Sequence, residues 1–482
     1  MNSLSLELAH ALPEAILALG AVVLLLIGAF RGRDDDGPMT ELAVVVLGAA
    51  LVAVVLGGHR PAGVVFDDAF IDDSFGDFMK GLSLTGSIVV LLMSGGFLRQ
   101  SGVDKFEFPI LVVLATLGML MLISANGLIA LYLGLELMSL SLYVVAAISR
   151  DDARASEAGL KYFVLGALSS GMLLYGASLL YGFAGSVSFA GIAAAIGGHP
   201  NMGVIFGLVF LFAGLAFKMS VVPFHMWTPD VYEGAPTPVT AFFASAPKMA
   251  AVAVSTRVIM TAFPGAVSEW QQVIVFMALA SMALGSFAAI NQSNIKRLMA
   301  YSSIGHMGFA LVGLAAGTEA GVKGVAVYMA IYLVMTLGAF AAILSMRVNG
   351  KAVEKINDLA GLARTNPAMG FFFAMLMFSL AGVPPLAGFF AKFYVFMAAV
   401  DAKLYWLAVI GILTSAVAAF YYLRIVKVMY FDDAVEALDH PTNPPIRLVM
   451  AVSALVVLLF TFLPGPLLIG AKAAAQSLFA AG

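Results

Sequence analysis

Long apolar stretches alternate with short polar or glycine- and proline-rich connections along almost the whole chain. A run of about 17–25 apolar residues is long enough to cross the hydrocarbon core of a bilayer as an α-helix. The pattern predicts fourteen such helices, one of them broken, near residues 11–30, 40–58, 81–98, 108–124, 126–148, 159–184, 203–222, 238–262, 270–291, 297–317, 322–346, 367–399, 404–428 and 446–469. The predicted fold class is therefore an all-α polytopic membrane protein.

Composition agrees with this fold class. Of 482 residues, 62% are hydrophobic and 11% are charged, whereas soluble domains carry about 25% charged residues. No polar stretch is long enough for a separate soluble domain, so we predict a single membrane domain over residues 1–482. Cysteine is absent, which excludes thiolate-bound iron–sulfur clusters, disulfides and cysteine nucleophiles from this chain.

The 25 lysines and arginines test the number of helices. Connections that follow odd-numbered helices hold fifteen of them: Arg31, Arg33, Arg99, Lys105, Arg150, Arg154, Lys296, Arg297, Arg347, Lys351, Lys355, Arg364, Arg424, Lys427 and Arg447. The other connections hold five: Arg60, Lys80, Lys323, Lys403 and Lys472. Because basic residues concentrate on the cytoplasmic side of membrane proteins, this partition supports fourteen spans with both termini on the non-cytoplasmic side.

Prolines interrupt two of the predicted helices. Pro223 closely follows Lys218 in helix 7, and Pro384 and Pro385 precede Lys392 in helix 12. An interior proline removes a backbone hydrogen bond and clashes with the preceding turn, so both helices should be discontinuous. The two broken helices, 7 and 12, are five helices apart. Because five is an odd number, helices in equivalent positions cross the membrane in opposite directions. This pattern indicates two inverted five-helix repeats with functional sites near the midplane. We assign helices 1–3 to residues 1–107, the repeats (helices 4–8 and 9–13) to 108–263 and 270–428, and the last helix to 446–469.

Lys218 and Lys392 lie inside these apolar stretches, where a charge costs about 2.5–3.5 kcal/mol on insertion scales. A broken helix exposes backbone groups that can hold water, and a buried lysine gives up its proton more readily than a hydrated one. The alternative is a lysine whose ammonium snorkels to the headgroups. Their position beside the breaks favours proton transfer.

Lys248 and Glu136 are also deep in apolar stretches, in helices 8 and 5. Lys248 is too deep to snorkel easily. Glu136 paired with a lysine would stay ionised and strengthen that lysine's hold on its proton. Separating the pair would release the proton, so the distance within the pair is a candidate switch. A static link between two helices is the alternative.

Three weaker candidate residues, Glu157, Lys161 and His306, complete the set. Glu157 and Lys161 are four residues apart at the start of helix 6, an orientation that favours a local ion pair. They form either a simple interfacial pair or the access point of a proton relay. His306 in helix 10 either relays protons near neutral pH or is a core histidine bonded to a hydroxyl. Arg257 is expected to snorkel from near the end of its helix.

The sequence contains no glycine-rich phosphate loop, no clustered metal ligands and no nucleophile–base pair with a known spacing. We therefore expect no cofactor and no metal in this chain, and no nucleic-acid partner. The buried lysines instead indicate a path for ions.

These residues lie in motifs that resemble the antiporter-like membrane subunits of respiratory complex I. The resemblance runs through predicted helices 4–13 and is highly specific. Five stretches carry it: Tyr132 to Glu136, Gly159 to Phe163, Phe217 to Pro238 continuing to Lys248, Ile295 to His306, and Ala381 to Lys392.

The resemblance implies a fourteen-helix fold with inverted repeats and a role in pumping protons when NADH reduces quinone. By family analogy, Glu136 and Lys218 form a pair, Lys248 is the central link and Lys392 is nearest the exit. FMN, iron–sulfur clusters, NADH and quinone would be bound by partner subunits. The expected partners are other membrane subunits of the complex and the lipid bilayer, and the expected location is a bacterial inner membrane with both termini periplasmic.

Two other functional classes are weighed against this one. The first is a subunit of a multi-subunit sodium/proton antiporter or of a membrane-bound hydrogenase, which are relatives in the same family. Flavin and iron–sulfur absorbance in the purified complex would separate the redox-linked pump from an antiporter. The second is a stand-alone transporter of organic solutes, for which a line of buried lysines is a poor match.

Overall fold

The structure is a computed structural model that describes residues 3–31, 38–58, 62–103, 105–197, 200–434, 436–439 and 443–480. Arg33 and Arg60, which enter the charge partition, lie outside these ranges. The first twelve helices are α1 Ser3–His10, α2 Leu12–Arg31, α3 Met39–Gly57, α4 Ser74–Gln100, α5 Glu107–Ile123, α6 Leu128–Ala146, α7 Ala153–Ala184, α8 Phe189–Ile196, α9 Met202–Met219, α10 Trp227–Gly234, α11 Thr237–Ala244 and α12 Ala246–Ala262.

The second half of the chain is also helical, and the strands are few and short. The remaining helices are α13 Val267–Ile290, α14 Ile295–Ala315, α15 Glu319–Leu344, α16 Leu362–Thr365, α17 Pro367–Ala381, α18 Ala387–Asp401, α19 Tyr405–Phe431, α20 Pro444–Leu459 and α21 Gly465–Ala480, with a 3₁₀ helix at Ile356–Leu359. Two antiparallel hairpins pair β1 Gly63–Val65 with β2 Phe70–Asp72 and β3 Arg347–Val348 with β4 Lys351–Ala352.

Side chains and glycine conformations set many of the helix ends. Asp73, Asn201 and Asn294 each accept hydrogen bonds from backbone N–H groups in the first turn of the following helix. These groups have no partner within the helix, so a side-chain acceptor stabilises the start. At the other end of α7, Gly185 adopts a φ of 70°, a left-handed conformation that costs glycine little.

The membrane spans agree with the predicted fold class. In the described part of the chain, eleven helical segments are long and apolar enough to cross a bilayer, one of them α11 and α12 taken together as Thr237–Ala262, and three shorter apolar helices accompany them. The shorter ones are α5, α17 and α20. Within α14 and α15, 94% of the apolar window is buried, against 28% in α3. The centre of the bundle therefore lies around α14, α15 and the fully buried α11–α12 segment, while α3 is peripheral.

The structure differs from the predicted helices at three places. The segment predicted as helix 8 is interrupted at Ser245, which separates α11 from α12. The last predicted helix, 446–469, is not continuous: α20 ends at Leu459, and α21 begins at Gly465 after Pro464. Helix α4 begins at Ser74, earlier than predicted, so that Lys80 lies inside a helix and is 1% exposed.

The two ends of the bundle differ in charge. One end carries Lys105, Arg154 and Arg297 together with the β3–β4 hairpin, and we call it the basic end. The opposite end is built from the β1–β2 hairpin, the turn between α5 and α6 and the start of α8. Isolated β-bridges at Phe70–Ala125 and Gly127–Ser188 join these three segments.

The predicted repeats correspond to matching sets of neighbours. In the first, α5 packs on α6, α6 on α7, and α7 on α9. In the second, α13 packs on α14, α14 on α15, and α15 on α17 and α18. Equivalent helices run in opposite directions, because α5 leaves the basic end and α13 leaves the opposite end. This arrangement puts a broken helix at the same place in each set.

Arg257 does not snorkel, contrary to the expectation from sequence. Its side chain is fully buried and binds both carboxylate oxygens of Asp73 at 2.7 and 2.9 Å, and it also donates to the Ile123 carbonyl at 3.1 Å. Asp73 is distant from Arg257 in sequence, so the sequence did not reveal the ion pair. The position of Arg257 near the end of its helix alone suggested an exposed side chain. Burial by itself would raise the pKa of Asp73, but the charge and hydrogen bonds of Arg257 outweigh it and lower that pKa.

Candidate functional site

The first broken helix ends in the interior of the bundle. Helix α9 stops at Met219, and Ser220 follows with a φ of 62°. The chain then passes through Pro223, whose peptide bond is cis, before α10 begins at Trp227. The last carbonyl groups of α9 therefore have no partner within their own helix and face buried surroundings.

Lys218 lies in the last turn of α9 and is 5% exposed. Its Nζ lies 3.2 Å from the hydroxyl oxygen of Tyr143, to which it donates a hydrogen bond. Three aromatic rings surround the amine, with centroids 5.0 Å (Tyr143), 5.5 Å (Tyr162) and 5.4 Å (Phe217) away. Aromatic faces attract a cation, so this site holds the lysine without a carboxylate in direct contact.

Glu136 lies on α6, two helical turns before Tyr143, and is partly buried. Its Oε1 atom has no hydrogen-bond partner among the described residues. Within the same part of the chain, the carboxylate forms no ion pair with Lys218, which binds Tyr143 instead. Glu136 and Lys218 are thus separated, and the Tyr143 hydroxyl is the hydrogen-bond partner of Lys218.

Lys248 closes the end of α9. It lies near the start of α12, is 1% exposed, and donates to the Met219 carbonyl at 2.9 Å and to the Ser220 hydroxyl. Its Nζ is 5.6 Å from the Trp227 ring centroid. A cationic group at the carbonyl end of a helix interacts favourably with the helix dipole. The break therefore supplies the hydrogen-bond acceptors of Lys248, and Lys248 supplies the donor for the carbonyl at the end of α9.

The second broken helix has the same construction. Helix α17 ends at Ala381, and Gly382 follows with a φ of 90°. Lys392 on α18 is 6% exposed and donates to the carbonyls of Ala381 at 2.8 Å and Leu380 at 3.3 Å. It also donates to the Ser415 hydroxyl on α19 at 2.8 Å. Lys392 is thus the counterpart of Lys248 in the way it caps a broken helix.

His306 lies on α14 in a cluster of buried hydroxyl groups. Its Nδ1 is 2.6 Å from the Tyr328 hydroxyl and its Nε2 is 3.1 Å from the Tyr422 hydroxyl. Ser303 bonds to the hydroxyl of Tyr332 at 2.9 Å. Tyr422 also bonds to Ser302. The imidazole has hydroxyl partners on both nitrogens, which is the arrangement that proton transfer through a ring requires.

Glu157 and Lys161 belong to an ion network at the basic end. Lys161 Nζ lies 2.7 Å from Glu157 and 2.8 Å from Asp230 on α10. Arg297 on α14 lies 2.7 Å from Asp230 and 3.0 Å from Glu233. The Lys161 side chain is 41% exposed. The pair predicted from sequence is therefore part of a larger network that joins α7, α10 and α14.

A cavity opens beside this network. Its volume is about 440 Å³, and its lining includes Arg154, Glu233, Lys296 and Glu354. Lys296 is 2% exposed, lies 2.6 Å from a Glu354 oxygen and donates to the Ala235 carbonyl at 3.0 Å. The cavity thus reaches from the basic end to a buried lysine at the junction of α10 and α11.

The structure places Lys218 and Lys248 at one break and Lys392 at the other, with His306 in the hydroxyl cluster of the second repeat. Glu136 is near the first break but not in contact with its lysine. Sequence reasoning missed the hydroxyl groups that connect the charged ones: Tyr143, Ser220, Tyr328, Tyr332, Ser415 and Tyr422. Tyr328 and Tyr332 are spaced by four on one helix face, the one local signal that could have suggested them.

The site offers no metal centre in the described part of the chain, where His, Asp and Glu side chains form no group of three that could hold a metal ion. The arrangement can hold and pass protons between amines, hydroxyls and an imidazole across the middle of the bundle.

Comparisons with known proteins identify the family of the chain. Residues 125–418 match the model of the family described as NADH:quinone oxidoreductase/Mrp antiporter, TM. The chain is 69% identical over 479 residues to the NADH-quinone oxidoreductase subunit N of Beijerinckia indica, covering 99% of this chain and all of that protein. It is 61% identical to the protein of the same name from Methylobacterium nodulans, covering 98% of both.

Solved structures show the same fold. A chain of respiratory complex I from Thermus thermophilus is 32% identical and superposes with a TM-score of 0.83, covering 96% of this chain and 99% of that one. A chain of the Mrp complex from a Dietzia species superposes with a TM-score of 0.85 over 98% of both chains, at 22% identity. At that identity, the second likeness concerns the fold alone.

Proposed function

The chain belongs to the NADH-quinone oxidoreductase subunit N family, and we propose that it moves protons across a bacterial inner membrane along Glu136, Lys218, Lys248, His306 and Lys392. The driving reaction is the oxidation of NADH and the reduction of quinone. Those steps take place in partner subunits, which bind FMN, iron–sulfur clusters, NADH and quinone. The chain itself is a membrane subunit of that complex without a redox centre.

The observation that carries the proposal is the pairing of buried lysines with the ends of broken helices. Lys248 caps the carbonyls at the end of α9, and Lys392 caps those at the end of α17. Neither lysine has a carboxylate partner in the described part of the chain, so each can lose its proton without leaving an unpaired carboxylate behind. A lysine held only by neutral acceptors has no neighbouring carboxylate that strengthens its hold on the proton.

Hydroxyl groups provide the connections between the charged groups. Tyr143 links the neighbourhood of Glu136 to Lys218, and Ser220, two residues after Lys218 in the chain, accepts a hydrogen bond from Lys248. The Tyr328–His306–Tyr422 chain continues through the second repeat. A hydroxyl can accept one proton while donating another, and water completes the remaining gaps in a hydrated break.

Glu136 acts as the control element in this scheme. When its carboxylate approaches Lys218, it favours the protonated amine, and when it withdraws, the proton passes on towards Lys248. Tyr143 takes the place of the carboxylate as the partner of Lys218 in the separated arrangement. The state with Glu136 and Lys218 in contact is the other half of the cycle.

The distribution of basic residues gives the direction of proton movement. The basic end faces the cytoplasm according to the positive-inside rule, and both termini are then periplasmic. Protons enter through the 440 Å³ cavity and the network around Lys161 and Glu157. The two inverted repeats, 108–263 and 270–428, each supply one broken helix to the path.

Purification of a tagged chain from its native membrane tests this function. We expect flavin and iron–sulfur absorbance to co-purify with the chain, together with NADH-dependent quinone reduction that acidifies the lumen of reconstituted vesicles. A complex that lacks these chromophores and exchanges sodium for protons would instead support the antiporter alternative.

A further inference from the structure

We propose that Glu14 and Lys80 form the proton-releasing pair at the end of the bundle opposite the basic end. The inference rests on the proposed function and adds an exit to it. It places the exit between α2 and α4, outside the two repeats.

The pair is buried and in direct contact. Lys80 Nζ lies 2.8 Å from Glu14 Oε1, and the two residues are 1% and 7% exposed. A buried ion pair is often no more stable than two apolar side chains of similar volume, because both ions lose their hydration. Its presence inside a membrane bundle, where apolar packing would suffice, indicates a role in moving charge.

Glu14 also reaches a cavity. Its side chain lines a mostly apolar space of about 620 Å³ at the opposite end of the bundle, where Asp67, Asp68 and Ser188 are the other polar side chains. Its Oε2 atom is buried and has no hydrogen-bond partner among the described residues. The carboxylate therefore has one oxygen on the lysine and a second that is available to take up a proton.

Buried hydroxyl groups lie beyond this pair along α4, where Ser83 and Ser87 donate to the carbonyls of Met79 and Ser83. Ser83 and Ser87 follow Lys80 by three and seven residues, so all three side chains lie on one face of α4. Ser87 bonds to the Thr116 hydroxyl on α5 at 2.8 Å, and Ser83 and Ser87 are both buried. This polar face extends about 10 Å along the helix from Lys80 to Ser87.

The polar face of α4 reaches the level of the central lysine. Gly86 lies against the start of α12: a Cβ placed on Gly86 would be 3.2 Å from the Cβ of Ala246. Ala246 is two residues before Lys248. The close approach of the two helices thus places the residue before Ser87 against the residue two before Lys248.

The transfer itself is a simple exchange. The Lys80 ammonium gives a proton to the Glu14 carboxylate, so that one N–H bond breaks and one O–H bond forms. The Glu14 acid then loses this proton to solvent water at this end of the bundle, so that the O–H bond breaks. The neutral Lys80 amine binds the next proton that the path through Lys248 delivers, and the pair returns to its starting state.

The neighbouring charges favour release in this direction. Asp77 precedes Lys80 by one turn of α4, and Asp72 accepts from His10 at 2.7 Å. Asp73 is neutralised by Arg257. The acidic groups that remain attract a proton towards this end of the bundle.

Two variants of Glu14 in the intact complex test the inference. Glu14→Gln keeps the size and hydrogen-bonding capacity but cannot carry a proton, whereas Glu14→Asp is shorter but still titrates. In inverted membrane vesicles, we expect Glu14→Gln to lower NADH-driven proton uptake about tenfold or more, and Glu14→Asp to restore a substantial part of it. Glu319→Gln, at an exposed acid in the first turn of α15 that does not line this cavity, serves as the control and should pump normally.

The opposite ranking of the two variants would overturn the inference. If Glu14→Gln pumps normally and Glu14→Asp is impaired, the Glu14–Lys80 pair contributes only to packing. A Lys248→Met complex measured in parallel separates this outcome from a failure of the proposed function. If Lys248→Met abolishes pumping while Glu14→Gln does not, the exit is wrong and the central path stands. Normal pumping by Lys248→Met would contradict the path itself.

Discussion

Lys248 Nζ donates a hydrogen bond of 2.9 Å to the carbonyl oxygen of Met219, the last residue of α9. The lysine that was expected to carry protons is therefore also the group that satisfies the broken helix. Its protonation state and the conformation of the break are coupled, because loss of the charge weakens its interaction with the helix dipole.

Replacing Lys248 with methionine should stop coupled turnover without preventing assembly. The variant removes the amine and leaves the Met219 carbonyl without its partner, at a cost of about 1–3 kcal/mol. NADH-dependent quinone reduction and proton uptake in vesicles measure the effect, and a native gel reports assembly. Lys472→Met, which changes an exposed lysine of α21, should behave as wild type. Equal rates in both variants would show that Lys248 is only a cap.

Tyr143→Phe should slow pumping by about tenfold, because Lys218 loses its hydroxyl partner and a hydrogen bond to a charged group contributes about 1.5–3 kcal/mol. The aromatic ring remains, so the cation–π contact and the packing are preserved. Tyr175→Phe is the matched control, since Tyr175 is 55% exposed and packs edge-on against Phe210. A normal rate for Tyr143→Phe would mean that the Tyr143 hydroxyl has no part in the relay.

Tyr422→Phe tests the second repeat. The Tyr422 hydroxyl binds both His306 Nε2 and Ser302. Its removal should slow proton uptake about two- to tenfold, because a hydrogen bond contributes a net stabilisation of about 0.5–1.5 kcal/mol. The KM for NADH should not change, since NADH binds elsewhere. Tyr405→Phe, on an exposed position of α19, is the comparison. A changed KM with normal proton uptake would point to altered assembly.

Asp73→Asn should destabilise the fold through Arg257. Breaking one side of a buried ion pair costs about 3–5 kcal/mol, which a lower Tm of this subunit in the purified complex would reveal. The pKa of Asp73 is lowered below 3.8, so its stabilising effect is complete above that pH and is lost only as pH falls further through the native pKa. The difference from wild type should therefore stay constant between pH 8 and about pH 5.

Asp67→Asn is a control for the same measurement, because Asp67 is exposed and has a φ of 52° that asparagine also tolerates. If the Tm difference caused by Asp73→Asn disappeared on going from pH 8 to pH 6, the carboxyl would be neutral in the native state and the ion pair would be misassigned.

The helices could be predicted because their signal is local. A run of apolar residues of sufficient length fixes a span, and prolines in two such runs located both broken helices. The gap between α20 and α21 was missed because Phe460 to Leu463 continue the apolar run up to Pro464. Hydropathy reports the environment of a segment, not whether its backbone stays helical.

The partners of buried charges could not be predicted, because they are distant in sequence. Lys80 reads as a loop residue before an apolar run, and only the fold brings Glu14 to it. Arg257 looks like a snorkelling residue until Asp73 is placed beside it. Lys218, Lys248 and Lys392 stood out because charge itself is rare in such helices, whereas a tyrosine such as Tyr422 reads as ordinary core.

The most direct test of the central claim is NADH-driven proton uptake in vesicles that contain the complex with Lys218→Ala or Lys392→Ala. We predict that both variants assemble and retain NADH oxidation with a soluble electron acceptor, while quinone-linked proton uptake falls at least about tenfold. Normal quinone reduction and normal proton uptake in both variants would contradict a proton path through these lysines.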